Sequence, residues 1–160
     1  MKRISVVGVV VALCALLLMA TVASSASTTK KYSGDIEKGG TVDFTVKTTK
    51  RPGKPRRSKV VKFVFEGLVV QCQAPPSTDS TSGNITFSVP VRNRKFQINA
   101  VVGDPNDPNA SLKVKGEQTG PRKFKGTIRV HGTDVALDSS ADTGNCESTT
   151  QSWDAKRVPA

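Results

Sequence analysis

The densest chemistry in this sequence is cationic. Lys47, Lys50, Arg51, Lys54, Arg56, Arg57, Lys59 and Lys62 fall in one stretch that contains no acidic residue. Cations at this density neutralise the phosphates or carboxylates of a polymer, with an affinity that falls steeply as salt rises. No aromatic residue is interleaved in the loop from Lys47 to Ser58, so stacking on nucleobases is poorly served and nucleic acid is an unfavoured partner. The competing reading is a solvated surface loop. A second basic patch is expected on the outer face of a later hairpin, where Lys115 is placed opposite Lys125, with Lys113 and Arg129 nearby. Like charges opposed across two strands destabilise a sheet. Either an anionic partner or protection against sheet-to-sheet aggregation explains them. The candidate polyanion contacts are therefore Lys50, Arg51, Lys54, Arg56, Arg57, Lys115 and Lys125.

Other chemistry is thin. His131 is the single histidine, so a nucleophile, base and orienter set has one possible centre. Neither G-x-S-x-G nor H-E-x-x-H occurs, and Asp134, Asp138 and Asp142 lie in or near a polar loop with no sign of a hydrophobic pocket. The segment Gly103 to Asn109, GDPNDPN, offers oxygens to a calcium ion but lacks the glycine and terminal glutamate of an EF-hand loop. Asx-turn chemistry accounts for the same residues. The sequence thus predicts a protein that is not an enzyme and has no metal site and no cofactor.

Export is the next expectation. Met1-Lys2-Arg3 is a positive n-region, Val6 to Ala20 an apolar h-region, and Ala23 to Ser27 a small-residue cleavage zone. Residues 1–26 read as a signal peptide, and residues 27–160 as a single secreted or cell-surface domain with no membrane span. Removing Lys2 and Arg3 leaves 22 basic against 13 acidic residues, a net charge of +9. That field favours polyanions such as cell-wall polymers and acidic surface polysaccharides. Cys14 leaves with the leader, because Leu13 stands where a lipoprotein signal needs a small residue. Cys72 and Cys146 remain, and an even pair in an exported chain predicts a disulfide.

Strands must position all of this. Lys59 to Cys72, KVVKFVFEGLVVQC, is rich in β-branched and aromatic residues and reads as a central strand, with Gly67 at a bulge or bend. Tyr32, Gly34 and Ile36 alternate, as do Val42, Phe44 and Val46; pairing Ile36 with Val42 puts all six on one face. Gln73 to Gly83 reads as a polar loop. Ile85, Phe87, Val89 and Val91 then pair with Phe96, Ile98, Ala100 and Val102 across the turn Arg92 to Lys95, with Pro90 marking an edge or a bulge. Leu112 to Gly116 pairs with Phe124 to Val130, Leu112 facing Ile128 and Gly116 facing Phe124. Val135 and Leu137 suggest a short strand, and Asp138 to Asn145 a loop. Thr149, Gln151, Trp153 and Ala155 share a face of the last strand, with Trp153 as core anchor. About eight or nine short strands make an all-β domain, an antiparallel β-sandwich or barrel closed by one disulfide.

The hairpin ASLKVKGEQTGPRKFKGTIRVHG (Ala110 to Gly132), the stretch Cys146 to Arg157 with Trp153-Asp154-Ala155-Lys156-Arg157, and the opening KYSGDIEKGGTVDFTV together resemble a group of uncharacterised secreted all-β proteins of actinobacteria. The resemblance covers most of the mature chain. It implies export and a β-sandwich-like fold, and it brings no catalytic residues. Gln151 stands at an inward position where an apolar residue is expected.

These readings converge on a non-catalytic binding or structural module that contacts anionic polymers through its basic loop. The alternatives are an extracellular β-sandwich that binds a protein or carbohydrate through loops, and a small hydrolase built on His131. The only Trp and Tyr are both expected in the core, which disfavours sugar stacking on an exposed ring.

Overall fold

Period-two alternation gives almost every strand one apolar side, and those sides close on themselves in the computed structural model, which describes residues 25–73, 76–101, 111–132 and 146–159. Nine strands follow one another: β1 (Ala26–Ile36), β2 (Thr41–Lys50), β3 (Arg57–Gln73), β4 (Pro76–Val91), β5 (Lys95–Val101), β6 (Ser111–Gly120), β7 (Lys123–Gly132), β8 (Cys146–Glu147) and β9 (Gln151–Arg157). They join in the order β4-β3-β2-β1-β9-β7-β6-β5, and β8 pairs with both β3 and β7. Six strands therefore form a closed ring, β1-β2-β3-β8-β7-β9 and back to β1, while β4, β5 and β6 extend beyond it. Of sandwich and barrel, the barrel is the one adopted. No helix occurs among the described residues, and none is long and apolar enough to cross a membrane. Residues 1–24, which hold most of the signal peptide expected over residues 1–26, the GDPNDPN segment, and the stretch holding Val135, Leu137 and the expected Asp138 to Asn145 loop lie outside the described residues.

The interior is aromatic. Phe44 stacks on Tyr32 at 5.0 Å between ring centroids, and it meets Phe124 edge-on at 5.3 Å and Trp153 at 5.7 Å. Phe63 and Phe96 complete the cluster around Trp153, which is 1% exposed and anchors β9 as its sequence position predicts. Each such ring pair contributes about 0.5–1.5 kcal/mol beyond area burial. Gln151 does face inward. It is buried, and its Nε2 donates to the Val69 carbonyl at 2.8 Å, which offsets part of the cost of placing an amide there.

Cys72 and Cys146 form the predicted disulfide, directly across the β3–β8 pairing. β8 is only two residues long, yet it is the strand that closes the ring between β3 and β7. Beside it, the Ser148 N–H donates to the Val130 carbonyl at 2.9 Å, and the Val130 N–H donates to Ser148 Oγ at 2.8 Å.

Several pairings differ from those expected. β1 and β2 are offset by two residues, so Tyr32 faces Phe44 and Gly34 faces Val42. The turn is tighter than the sequence suggests: Gly39 and Gly40 both adopt positive φ (113° and 88°), and the Ile36 N–H donates to the Gly40 carbonyl at 3.0 Å. β6 and β7 are also offset by two, with Leu112 facing Val130 and Gly116 facing Gly126. β4 and β5 do not form a hairpin ladder. Asn93 and Arg94 make the tight turn, with φ of 49° and 65°, and Arg92 bridges Lys95. Beyond that bridge β4 pairs with β3 and β5 with β6. The segment Pro76 to Gly83, expected as loop, is strand, because the long β3 supplies a ladder for it from Leu68 to Gln73. Gly67 (φ 67°) does sit at a register shift in β3, and Pro90 does lie on an edge strand, β4.

Glycine across from an aromatic ring, which the expected registers place at Gly34 with Phe44 and at Gly116 with Phe124, occurs at different partners. Phe65 faces Gly83, Phe96 faces Gly116 and Trp153 faces Gly126, and in each pair the ring occupies the space of a glycine Cβ. Gly34 has another reason to be glycine. A Cβ there collides with the backbone of Asp154 and Ala155 on β9. Gly34→Ala must push β1 away from β9 at a ring junction, and a loss of about 1–3 kcal/mol or more is expected, read from the urea unfolding midpoint.

Candidate functional site

The basic stretch is less of a loop than its prolines and glycine imply. β2 runs on through Lys50 and β3 starts at Arg57, leaving only the Arg51 to Arg56 turn between them. Gly53 takes φ 66°, and the Lys54 N–H donates to the Arg51 carbonyl at 3.1 Å. Below the turn, the Thr48 and Ser58 hydroxyls meet at 2.8 Å across the strands. Lys50, Arg51, Lys54, Arg56 and Arg57 are all exposed, and none forms an ion pair among the described residues. Arg51, Lys54, Arg57 and Lys59 line a groove of about 510 Å³ that Pro90 of β4 closes on one side.

The cationic surface then continues down the outside of the barrel. Lys47 on β2 directly faces Lys59 on β3, with Thr29 of β1 on the other side of Lys47. In the next row Thr45 lies between Lys31 of β1 and Lys62 of β3. Neither row contains a carboxylate; the first acid on this face is Asp43, one row further. Opposed side chains in such rows stand about 5 Å apart at Cβ. Lys31 is the contributor that the sequence reading missed. It sits far from the basic stretch in the chain, and only the β1–β2 register brings it alongside.

The second patch is corrected by the β6–β7 offset. Lys115 faces Thr127 on β7 and Gln97 on β5, and Lys125 faces Glu117 on β6 and Asp154 on β9. The two lysines are therefore not opposed, and Lys125 is bracketed by carboxylates. Like-charge opposition occurs elsewhere, at Lys113 with Arg129 and at Lys123 with Lys156.

His131 is an exposed rim residue of β7. Its Nδ1 lies 3.1 Å from Glu147 Oε2, and Arg129 approaches the same oxygen at 3.4 Å. Ser111 is across the ladder from His131, and both line an open depression, but no hydrogen bond joins them among the described residues. Contact with His131 first, and with Arg129 second, holds the Glu147 carboxyl below its usual range. A carboxyl lowered by folding stabilises the fold above its unfolded pKa, and that contribution disappears as pH falls through the lowered value. The Tm of the native protein should therefore fall more on acidification below the ordinary carboxylate range than that of Glu147→Gln, measured side by side by calorimetry. Parallel curves would assign Glu147 no part in holding β8. Among the described residues no group of three or more His, Cys, Asp and Glu is placed to hold a metal ion.

In comparisons with known proteins, no family model, no curated protein and no solved structure matches the chain. The surface itself has to carry the functional argument.

Proposed function

We propose that this protein is a secreted or cell-surface, non-catalytic module that binds anionic polymers through the end and outer face of the β2–β3 hairpin. The observation that carries the reading is Lys47 facing Lys59 in a row without a carboxylate. Opposed like charges cost a sheet a few tenths of a kcal/mol, and an anionic chain laid over them reverses that sign. Lysines that guard a sheet against aggregation belong on edge strands. β2 and β3 are flanked by strands on both sides, so edge protection does not account for this pair. From it the positive surface runs without interruption to Lys50, Arg51, Lys54, Arg56 and Arg57 at the hairpin end. The Cys72–Cys146 disulfide suits an oxidising compartment, in keeping with export.

The test is retention on immobilised anionic polysaccharide and phosphate-diester polymer as salt is raised. The native protein should bind at low salt and lose roughly tenfold or more in affinity between about 50 and 200 mM. Changing Arg51, Lys54, Arg56 and Arg57 to Ser should abolish most of the binding, and Lys47→Ser with Lys59→Ser should reduce it further. Equal binding by the variants would remove the hairpin from the function.

A further inference from the structure

The outer face of β5, β6, β7 and β9 holds a basin of about 880 Å³, within the range of small-ligand sites. We propose that it binds an acidic sugar, a hydroxyl-rich ring carrying one carboxylate. Two rows of side chains cross its floor. The first runs Lys95, Glu117, Lys125, Asp154 over four strands, alternating in sign. Lys95 Nζ lies 3.8 Å from Glu117 Oε2, so two cations and two carboxylates offset one another and present no net charge. The second row runs Gln97, Lys115, Thr127, Ser152. Here Lys115 is the sole charge, set among an amide and two hydroxyls, and Arg92, in the turn after β4, lines the same basin as a further cation. A ligand suited to both rows places one anionic group at Lys115 and presents hydroxyls to Gln97, Thr127, Ser152 and the neighbouring carboxylates. Between the charged rows, Val89, Pro90 and the edges of Phe96 and Trp153 give an apolar surface suited to the C–H face of a sugar ring, and a dense polyanion meets Glu117 and Asp154.

The floor is thin. Gly116 and Gly126 face each other there, and the Cε2–Cζ2 edge of Trp153 takes the place of a side chain at Gly126. The adjoining Nε1–H of that indole is buried without a hydrogen-bond partner among the described residues. Trp153 is the single tryptophan of the chain, so its fluorescence reports on the floor of this basin and the core beneath it with no second indole to confuse the signal.

The experiment is a fluorescence titration of the protein with glucuronate, with glucose and inorganic phosphate as comparison probes. Glucuronate should give a saturable change that glucose and phosphate do not, and Lys115→Gln should weaken it about tenfold or more. The variant lacking the four hairpin cations should keep the response, which separates this site from the polymer surface. A free uronate and a uronate unit within a glycan present the same chemistry; the tighter binder of the monomer and a short oligouronide identifies the source. No change with glucuronate at ~10 mM, an equal response to phosphate, or an unchanged response in Lys115→Gln overturns the proposal.

Discussion

Replacing Cys72 and Cys146 by alanine is expected to lower the stability of this domain by about 4 kcal/mol, from the loop of 74 residues that the bridge closes in the unfolded chain. For a domain whose whole stability is about 5–15 kcal/mol, that loss is a large fraction. The structure adds a local reason to expect at least that much. Without the disulfide, β8 meets β3 through the Gln71–Cys72 and Cys146–Glu147 pairing alone, so the ring loses the covalent half of its narrowest seam. Urea unfolding of the native protein, the reduced protein and the double-alanine variant checks this. The last two should share a lowered midpoint. A variant midpoint equal to that of the native protein would show that the backbone pairing of β3 with β8 holds the seam unaided.

Phe44→Ala should be comparably damaging, at about 3–5 kcal/mol. Phe44 is 2% exposed and its ring contacts Tyr32, Phe63, Phe96, Phe124 and Trp153. Those five rings come from five different strands (β1, β3, β5, β7 and β9), so no single strand can shift to fill the cavity left on β2. Phe87 is the internal control. It lies on the edge strand β4 and is only partly buried, so Phe87→Ala should cost less than half as much, roughly 1–2 kcal/mol. Chemical denaturation of the two variants in parallel gives the ratio, and equal losses would contradict the placement of the core around Phe44.

Most of the strands, their buried faces and the disulfide could be read from the residues, because each follows from local alternation or from counting cysteines; the polar first half of β4, Pro76 to Gly83, has no such alternation and reads as loop. Register could not. A slip of two residues leaves every side chain on its own face, so Tyr32 facing Val46 and Tyr32 facing Phe44 satisfy the same hydrophobic pattern. The same ambiguity placed Lys115 against Lys125. Lateral order was equally hidden. Asn93 and Arg94 specify a tight turn, but nothing local says that the strands it joins will take other partners. The functional surface suffered from this most. The cations of the hairpin were visible as a run, whereas Lys31 joins them only through the pairing of β1 with β2. The basin around Lys115 depends on four strands drawn from separate parts of the chain.

The pairing of β1 with β9 sets a schedule for folding. Tyr32 meets Arg157 and Ile36 meets Trp153, contacts that span nearly the whole described chain. The first strand made cannot find its second neighbour until the last strand is available, and Trp153, on which the core is centred, arrives with it. A chain emerging N-terminus first can assemble the β1–β2–β3 sheet early, but that sheet must wait with its apolar side uncovered. Dominance by such distant contacts places folding toward the slow end for domains of this size. The uncovered sheet is then the species most exposed to aggregation, and its outer lysines, mutually repulsive between molecules, keep it apart from its own kind until the barrel shuts.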